Sequence, residues 1–376
     1  MTQQTQKQIN LRIPGPTPVP DDILAAVAHP MINHRGREFA GIVERCAAAL
    51  KTFFKTEQDV MMLSCSGTGG LEAAVVNVLS PGDKVVAVSI GSFGDRIASI
   101  AETYGADVKP LSYEWGDAAS ADDVRSALKE TPDARAVLVT HNETSTGVTN
   151  PLQEIAAIVR EHGETLLIVD AVSSLGAIPL EMDAWGLDVV VTGSQKGWMV
   201  PPGLAFAALS ERGWKAFETS KMPRFYFDLG KHRDAQAKGQ TPFTPAMSIF
   251  FGLDLALEKM AEEGLESIHT RHRNMGDLTR REVKALGLEL LCSDERFASD
   301  TVTAVKCPEG IEVSALRNMM EDEHDTILAG GQAKLSGKIF RIGHLGLVHE
   351  DDIRSTMDAL AQSLEKLGFT RTAPTV

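Results

Sequence analysis

The chain has 376 residues, 43% of them hydrophobic, and a formal net charge of −14. That length exceeds what one hydrophobic core usually serves and points to two domains. The acidic balance excludes nucleic acid and an anionic membrane surface as expected partners, since both need a basic face. Cys46, Cys65, Cys292 and Cys307 are widely spaced, form no CxxC pair and suit a reducing compartment.

In chain order, "MTQQTQKQIN" is polar, and nowhere do about 18 apolar residues run together. A cytoplasmic protein with no membrane partner is expected. Residues 1–20, with "RIPGPTPVP", read as an extended arm crossing a surface. From 21 to 265 the pattern alternates. Apolar runs ("DVMML", "DKVVAVSI", "ARAVLVTH", "TLLIVDA", "LDVVVTG") are separated by segments of helical period ("GGLEAAVVNVL", "DRIASIAETYG", "PLQEIAAIVREHG"). Runs that apolar fit strands covered on both faces, and their alternation with helices implies an α/β domain with a mostly parallel sheet. From 266 to 376 a long amphipathic helix, the strand candidates "TVTAVKCP" and "KIFRIGHLG" and a charged terminal helix suggest a smaller α+β domain. In that helix "HTRHR", with His269 and His272, reads as a solvated face; no carboxylate or cysteine cluster completes a site there, and no metal is expected.

Ligands of such open sheets sit beyond the carboxyl ends of the strands. The residues just after the apolar runs, "SCSGTGG", "GSFGDR", "HNETSTG", "DAVSS" and "GSQKG", should therefore share one rim. Gly67, Thr68 and Gly69 open a helix, where backbone N–H groups can approach an anion such as phosphate. The turn is neither GxGxxG nor a Walker loop. Asp170, at the end of an apolar strand, is either a helix cap or a carboxylate with a buried partner. Lys196 is either a snorkelling surface lysine or a desolvated amine. An anion cradle, an acid and an amine on one rim match the needs of pyridoxal 5′-phosphate: a phosphate site, a carboxylate for the pyridine nitrogen, and an amine forming a Schiff base.

"SGTGGLEAAVVNVLSPGD", "GSFGDR", "THNETSTGV", the run from Asp170 to Gly203 and "FRIGHLG" resemble class V, fold type I pyridoxal phosphate enzymes, nearest the alanine:glyoxylate and serine:glyoxylate (serine:pyruvate) aminotransferases. The resemblance spans nearly the whole chain. It implies Lys196 as the Schiff-base lysine, Asp170 as the pyridine-nitrogen acid and Val172 packed under the ring. It further implies Gly67, Thr68 and Gly69 as the phosphate turn, with Gln195 and Thr144 near the cofactor. Phe93 stands where many members carry a ring-stacking tryptophan; it keeps the stacking surface and loses the N–H donor. "QTPFTPAMSIFFGL" resembles the loop by which a partner subunit reaches the phosphate, through Thr244 or Thr241, so a homodimer with shared active sites is implied. Arg341 aligns with the arginine that holds the substrate's α-carboxylate, a task suited to a planar fork of donors.

The implied reaction is a ping-pong transamination from a small amino acid (alanine, serine or aspartate) to a 2-oxo acid such as glyoxylate. Asn33, with His34 and Arg35 in "MINHRGREF", either selects the donor or holds the dimer together. Within the fold the rival readings are a cysteine desulfurase-like or other lyase, and ureidoglycine or aminoethylphosphonate transaminases. The first needs a nucleophilic cysteine, which "RIGHLG" lacks.

Overall fold

The structure, a computed structural model, describes residues 9–370. It is an α/β fold on a seven-stranded sheet. The strands are β1 (Asn10–Arg12), β2 (Val60–Leu63), β3 (Lys84–Ser89), β4 (Asp107–Ser112), β5 (Ala136–Thr140), the two-residue strands β6 (Asn142–Glu143) and β7 (Val148–Thr149), and β8 (Leu166–Asp170). They continue with β9 (Val189–Gly193), β10 (Ala205–Leu209), β11 (Val302–Lys306), β12 (Thr326–Gly330) and β13 (Ile339–Gly343). The large sheet runs β2-β10-β9-β8-β5-β3-β4. Its pairs are parallel except those of β10 with β2 and with β9. The parallel strands therefore share one carboxyl rim.

Alternate side chains of these strands feed two cores. Val86, Val88, Val137, Val139, Leu167 and Val169 pack on one face. Val85, Ala87, Ala136, Leu138, Leu166 and Ile168 pack on the other. With both faces covered by helices, neither set can be polar, which is why the strands read as unbroken apolar runs. The exception is β4, "DVKPLS", at the sheet edge. It is half solvated and tolerates Pro110, because its outer side has no ladder partner.

A second sheet, β1-β12-β13-β11, forms over a third core that includes Val305, Leu328, Phe340 and Ile342. Residues 9–12 join it through β1, which pairs parallel with β12. The chain then crosses to the large sheet's rim, where Thr17 N–H donates to the Gln195 carbonyl.

The helix Leu265–Ala285 overturns the solvated reading of "HTRHR": His269 and His272 are buried. His272 Nδ1 lies 2.8 Å from the Ile268 carbonyl, and its Nε2 accepts from Gly346 N–H at 3.1 Å. Burial holds its pKa down at about 3. The ring is a neutral core polar group satisfied at both nitrogens; Arg271 beside it donates to the Gly346 carbonyl, and only Arg273 of the pair of arginines is exposed.

Candidate active site

The register of the large sheet sets the site. Thr140 pairs with Asp170, and Asp170 pairs with Val191 of β9, so the acid ends its strand beside the strand that leads to Lys196. Asp170 is 3% exposed. One carboxylate oxygen accepts from Val172 N–H at 2.9 Å, and the other has only the Thr140 hydroxyl at 3.5 Å. Burial pushes its pKa up to about 6, against the Val172 hydrogen bond and the positive charges of Arg96 and Lys196. The carboxylate thus has an acceptor position to spare, which suits a protonated ring nitrogen.

Lys196 lies three residues past β9, buried, with its Nζ donating to the Pro14 carbonyl at 2.7 Å. The Thr17 hydroxyl donates to the Lys196 carbonyl at 3.1 Å. Burial, aided by Arg341, lowers the amine from its ordinary 10.5 to about 8, while Asp170 opposes the change. An amine so placed is half neutral near pH 8, where an ordinary lysine is almost wholly charged, and the neutral form is the one a nucleophile or proton acceptor requires. The fit with Pro14 depends on Gly15, which has φ +133°; a Cβ there would lie 2.5 Å from Nζ.

The turn expected to hold a phosphate is the start of the helix Gly67–Val78, where the Ser66 hydroxyl accepts from Gly69 N–H at 3.5 Å. A Cβ on Gly67 would come within 2.9 Å of the Val172 side chain, so only glycine lets this helix end meet the rim. Phe93 is the second residue of the helix Ser92–Thr103, which follows β3. The Arg96 guanidinium lies 4.6 Å from the Phe93 ring centroid and donates to the Thr68 hydroxyl at 3.4 Å. Arg96 was not singled out from sequence, yet it places a cation beside the candidate anion cradle.

Arg341 reaches the rim from β13, 5% exposed. Its Nε donates to the Gly330 carbonyl and its Nη1 to the Thr144 carbonyl, both at 2.9 Å. Two backbone acceptors fix the plane of the fork. Burial lowers its pKa to about 10, with Glu143 pulling it back up.

A family model described as aminotransferase class-V matches residues 21–346. The chain belongs to the class V aminotransferases. It is 46% identical to the soluble hydrogenase small subunit of a Synechococcus species, over 98% of this chain and 96% of that one. It is 37% identical to the L-aspartate–glyoxylate aminotransferase of Paracoccus denitrificans, over 93% of this chain and 88% of that one. The crystal structure of alanine–glyoxylate aminotransferase from a Nostoc species superposes with a TM-score of 0.92 at 29% identity, covering 97% of both chains. The protein is accordingly a pyridoxal phosphate-dependent transaminase acting on amino acid and 2-oxo acid substrates.

The residues of this class V aminotransferase fit that cofactor. Besides the spare position on Asp170, the Gln195 side-chain oxygen and the Ser92 hydroxyl are buried without a hydrogen-bond partner. Buried polar atoms left open at one rim have the character of a ligand site. Thr144 is buried, its carbonyl committed to Arg341.

Asn33, Thr241 and Thr244 lie elsewhere. Asn33 Oδ1 accepts from Arg35 N–H, and Arg35 Nη1 donates to Gln240 Oε1 at 3.0 Å and to the Thr241 carbonyl at 2.5 Å. The Thr241 hydroxyl donates to the Phe243 carbonyl, and Thr244 is exposed. The two segments meet each other, next to exposed Met31, Phe225 and Tyr226. Among the described residues no helix is long and apolar enough to cross a membrane.

Proposed function

We propose that the enzyme moves the amino group of alanine, serine or aspartate to glyoxylate in a ping-pong cycle. The observation that carries this reading is the placing of Lys196 and Asp170 at the ends of adjacent strands, with Arg341 held nearby by the Thr144 carbonyl. When bound, pyridoxal phosphate supplies an aldehyde that takes up amino groups and a ring that takes up electrons.

The protein's own groups do the rest. Asp170 would hold a proton on the ring nitrogen, where the positive charge would stabilise negative charge developing at the substrate Cα. Lys196 Nζ would take the Cα proton and return it to the cofactor side, as a general base and then acid. Arg341 grips the α-carboxylate and so orients the Cα–H bond. Gly67, Thr68 and Gly69 would receive the phosphate, Phe93 and Val172 would hold the pyridine ring, and Gln195 and Thr144 would border it.

The same proposal includes a cytoplasmic homodimer, in which Thr244 and Thr241 of one copy complete the phosphate site of the other and Asn33 approaches the donor side chain. The exposed Met31, Phe225 and Tyr226 around those loops support it. It also divides the chain into an arm (1–20), a large domain (21–265) and a small domain (266–376). Residues 1–8 and 371–376 of that division lie outside the described residues.

The identity with a soluble hydrogenase small subunit favours a second reading, a place in a hydrogenase assembly. One experiment separates the two. The holoenzyme is mixed with L-alanine, L-serine and L-aspartate in turn, and its visible absorption is followed. Transamination predicts loss of the band with at least one donor and its return with glyoxylate. A band indifferent to all three contradicts it.

A further inference from the structure

Glu143, between Asn142 and Thr144 in "HNETSTG", is a fully buried carboxylate to which the reaction scheme assigns no task. It sits at the crossing of two elements. Its Oε2 accepts from Phe93 N–H at 3.0 Å and Gly94 N–H at 3.1 Å, the opening of the helix Ser92–Thr103. Its Oε1 accepts from Ser145 N–H at 3.1 Å and from the Ser145 hydroxyl at 2.6 Å. That hydroxyl accepts in turn from Ser92 N–H at 3.0 Å. The approach is close enough to demand glycine at Gly91, where a Cβ would lie 2.4 Å from Glu143 Cγ. The residue between Glu143 and Ser145 is Thr144, whose carbonyl fixes Arg341 Nη1 at 2.9 Å.

We propose that Glu143 is a positioning residue that sets two walls of the reactive pocket together. It holds Phe93 through the start of its helix, and Arg341 through the turn that presents the Thr144 carbonyl. Every hydrogen-bond partner of the carboxylate is a donor, and a helix N-terminus adds a favourable dipole; these favour the ionised form against burial, which raises the pKa, and against the like charge of Asp170. An amide does not match those donors. In either orientation, a glutamine would turn its NH₂ towards N–H groups and leave donors unpaired in the interior. The proposal rests on the roles given above to Phe93 and Arg341, and it adds that one buried anion governs both.

The test is Glu143→Gln, with two readouts. The first is the dissociation constant of pyridoxal phosphate from the apo chain. The second is the rate of band loss in the holoenzyme with L-alanine against ethylamine and with L-serine against ethanolamine, pairs that differ by the carboxylate Arg341 would hold. With its donors mispaired, the variant is expected to bind the cofactor about ten- to a hundredfold more weakly and to lose its preference for the carboxylate-bearing amine by a similar factor. A general loosening would slow both amines alike and leave the preference intact, and that result overturns the proposal. A shift in only one readout overturns it too, since one anion is claimed to set both walls. Should Glu143→Gln not fold, Ser145→Ala decides: it removes one donor to Glu143, and both shifts are expected at about three- to tenfold. Wild-type enzyme that fails to prefer L-alanine and L-serine sinks the Arg341 assignment itself. Normal wild-type preference with unchanged variants strikes the Glu143 proposal alone.

Discussion

Lys196 Nζ donates to the carbonyl of Pro14, a residue 182 positions earlier in the chain. The segment that provides this acceptor also provides β1, which pairs with β12 of the second sheet. The amine is thereby tied to the sheet that carries Arg341.

Gly15→Ala tests that tie. The new Cβ meets Nζ at 2.5 Å, and φ +133° is strained for alanine. We expect a stability loss of about 1–3 kcal/mol in denaturant unfolding. We also expect capture of pyridoxal phosphate to slow at least about tenfold, a barrier increase of about 1.4 kcal/mol. Capture at the wild-type rate would show that the Pro14 contact does not position the amine.

The rim was legible in the sequence because its strands are buried on both faces: each apolar run stops where the sheet stops, and the next polar residue marks the site. Elements outside that regime were harder to see. β4 is half solvated and carries Pro110, and β1 has three residues that make sense only against β12. The bond from Lys196 to Pro14 leaves no local trace. In "HNETSTG", the family resemblance points to Thr144, while nothing in the sequence marks Glu143, the more buried of the two. "HTRHR" misled because two arginines suggest a solvated face, yet His272 turns inward to the Gly346 N–H and Arg271 to the Gly346 carbonyl, and only Arg273 is exposed.

The amine's lowered pKa has two consequences. Attack needs the neutral form, so capture of pyridoxal phosphate should quicken with pH up to about 8 and then level off; an ordinary lysine would keep gaining to above 10. In the apo chain, the unfolded state keeps the Lys196 proton between about 8 and 10.5 while the folded state has shed it. Stability therefore rises with pH across that window, by an amount on the order of 3 kcal/mol. Denaturant titrations at several pH values should show the rise in wild type and its absence in Lys196→Met.

Asp170 has the opposite sign. Its folded-state pKa of about 6 stands above the ordinary 3.8, so the folded state keeps a proton that the unfolded state has lost between those values. Apo stability from this group falls as pH rises from about 4 to 6. Asp170→Asn should remove the fall and leave the apo chain more stable than wild type above pH 6, by up to about 3 kcal/mol. The same variant should lose turnover by at least about a hundredfold, because nothing holds the ring nitrogen's proton. A variant both more stable and fully active would contradict the role given to this acid.

Arg341→Lys keeps the charge and loses the fork. KM for both amino donor and 2-oxo acceptor should rise by about ten- to a hundredfold, with the visible cofactor band retained. Steady-state kinetics and an absorption spectrum of the same sample check it. A lost band with unchanged KM would place the arginine at the cofactor instead of the substrate.

The most direct measurement concerns Lys196. Wild type and Lys196→Ala are folded, loaded with pyridoxal phosphate and assayed for transfer from each donor to glyoxylate, with circular dichroism to show that both keep the fold. The account predicts turnover in wild type and none in the variant. Turnover at the wild-type rate in a folded Lys196→Ala would contradict it.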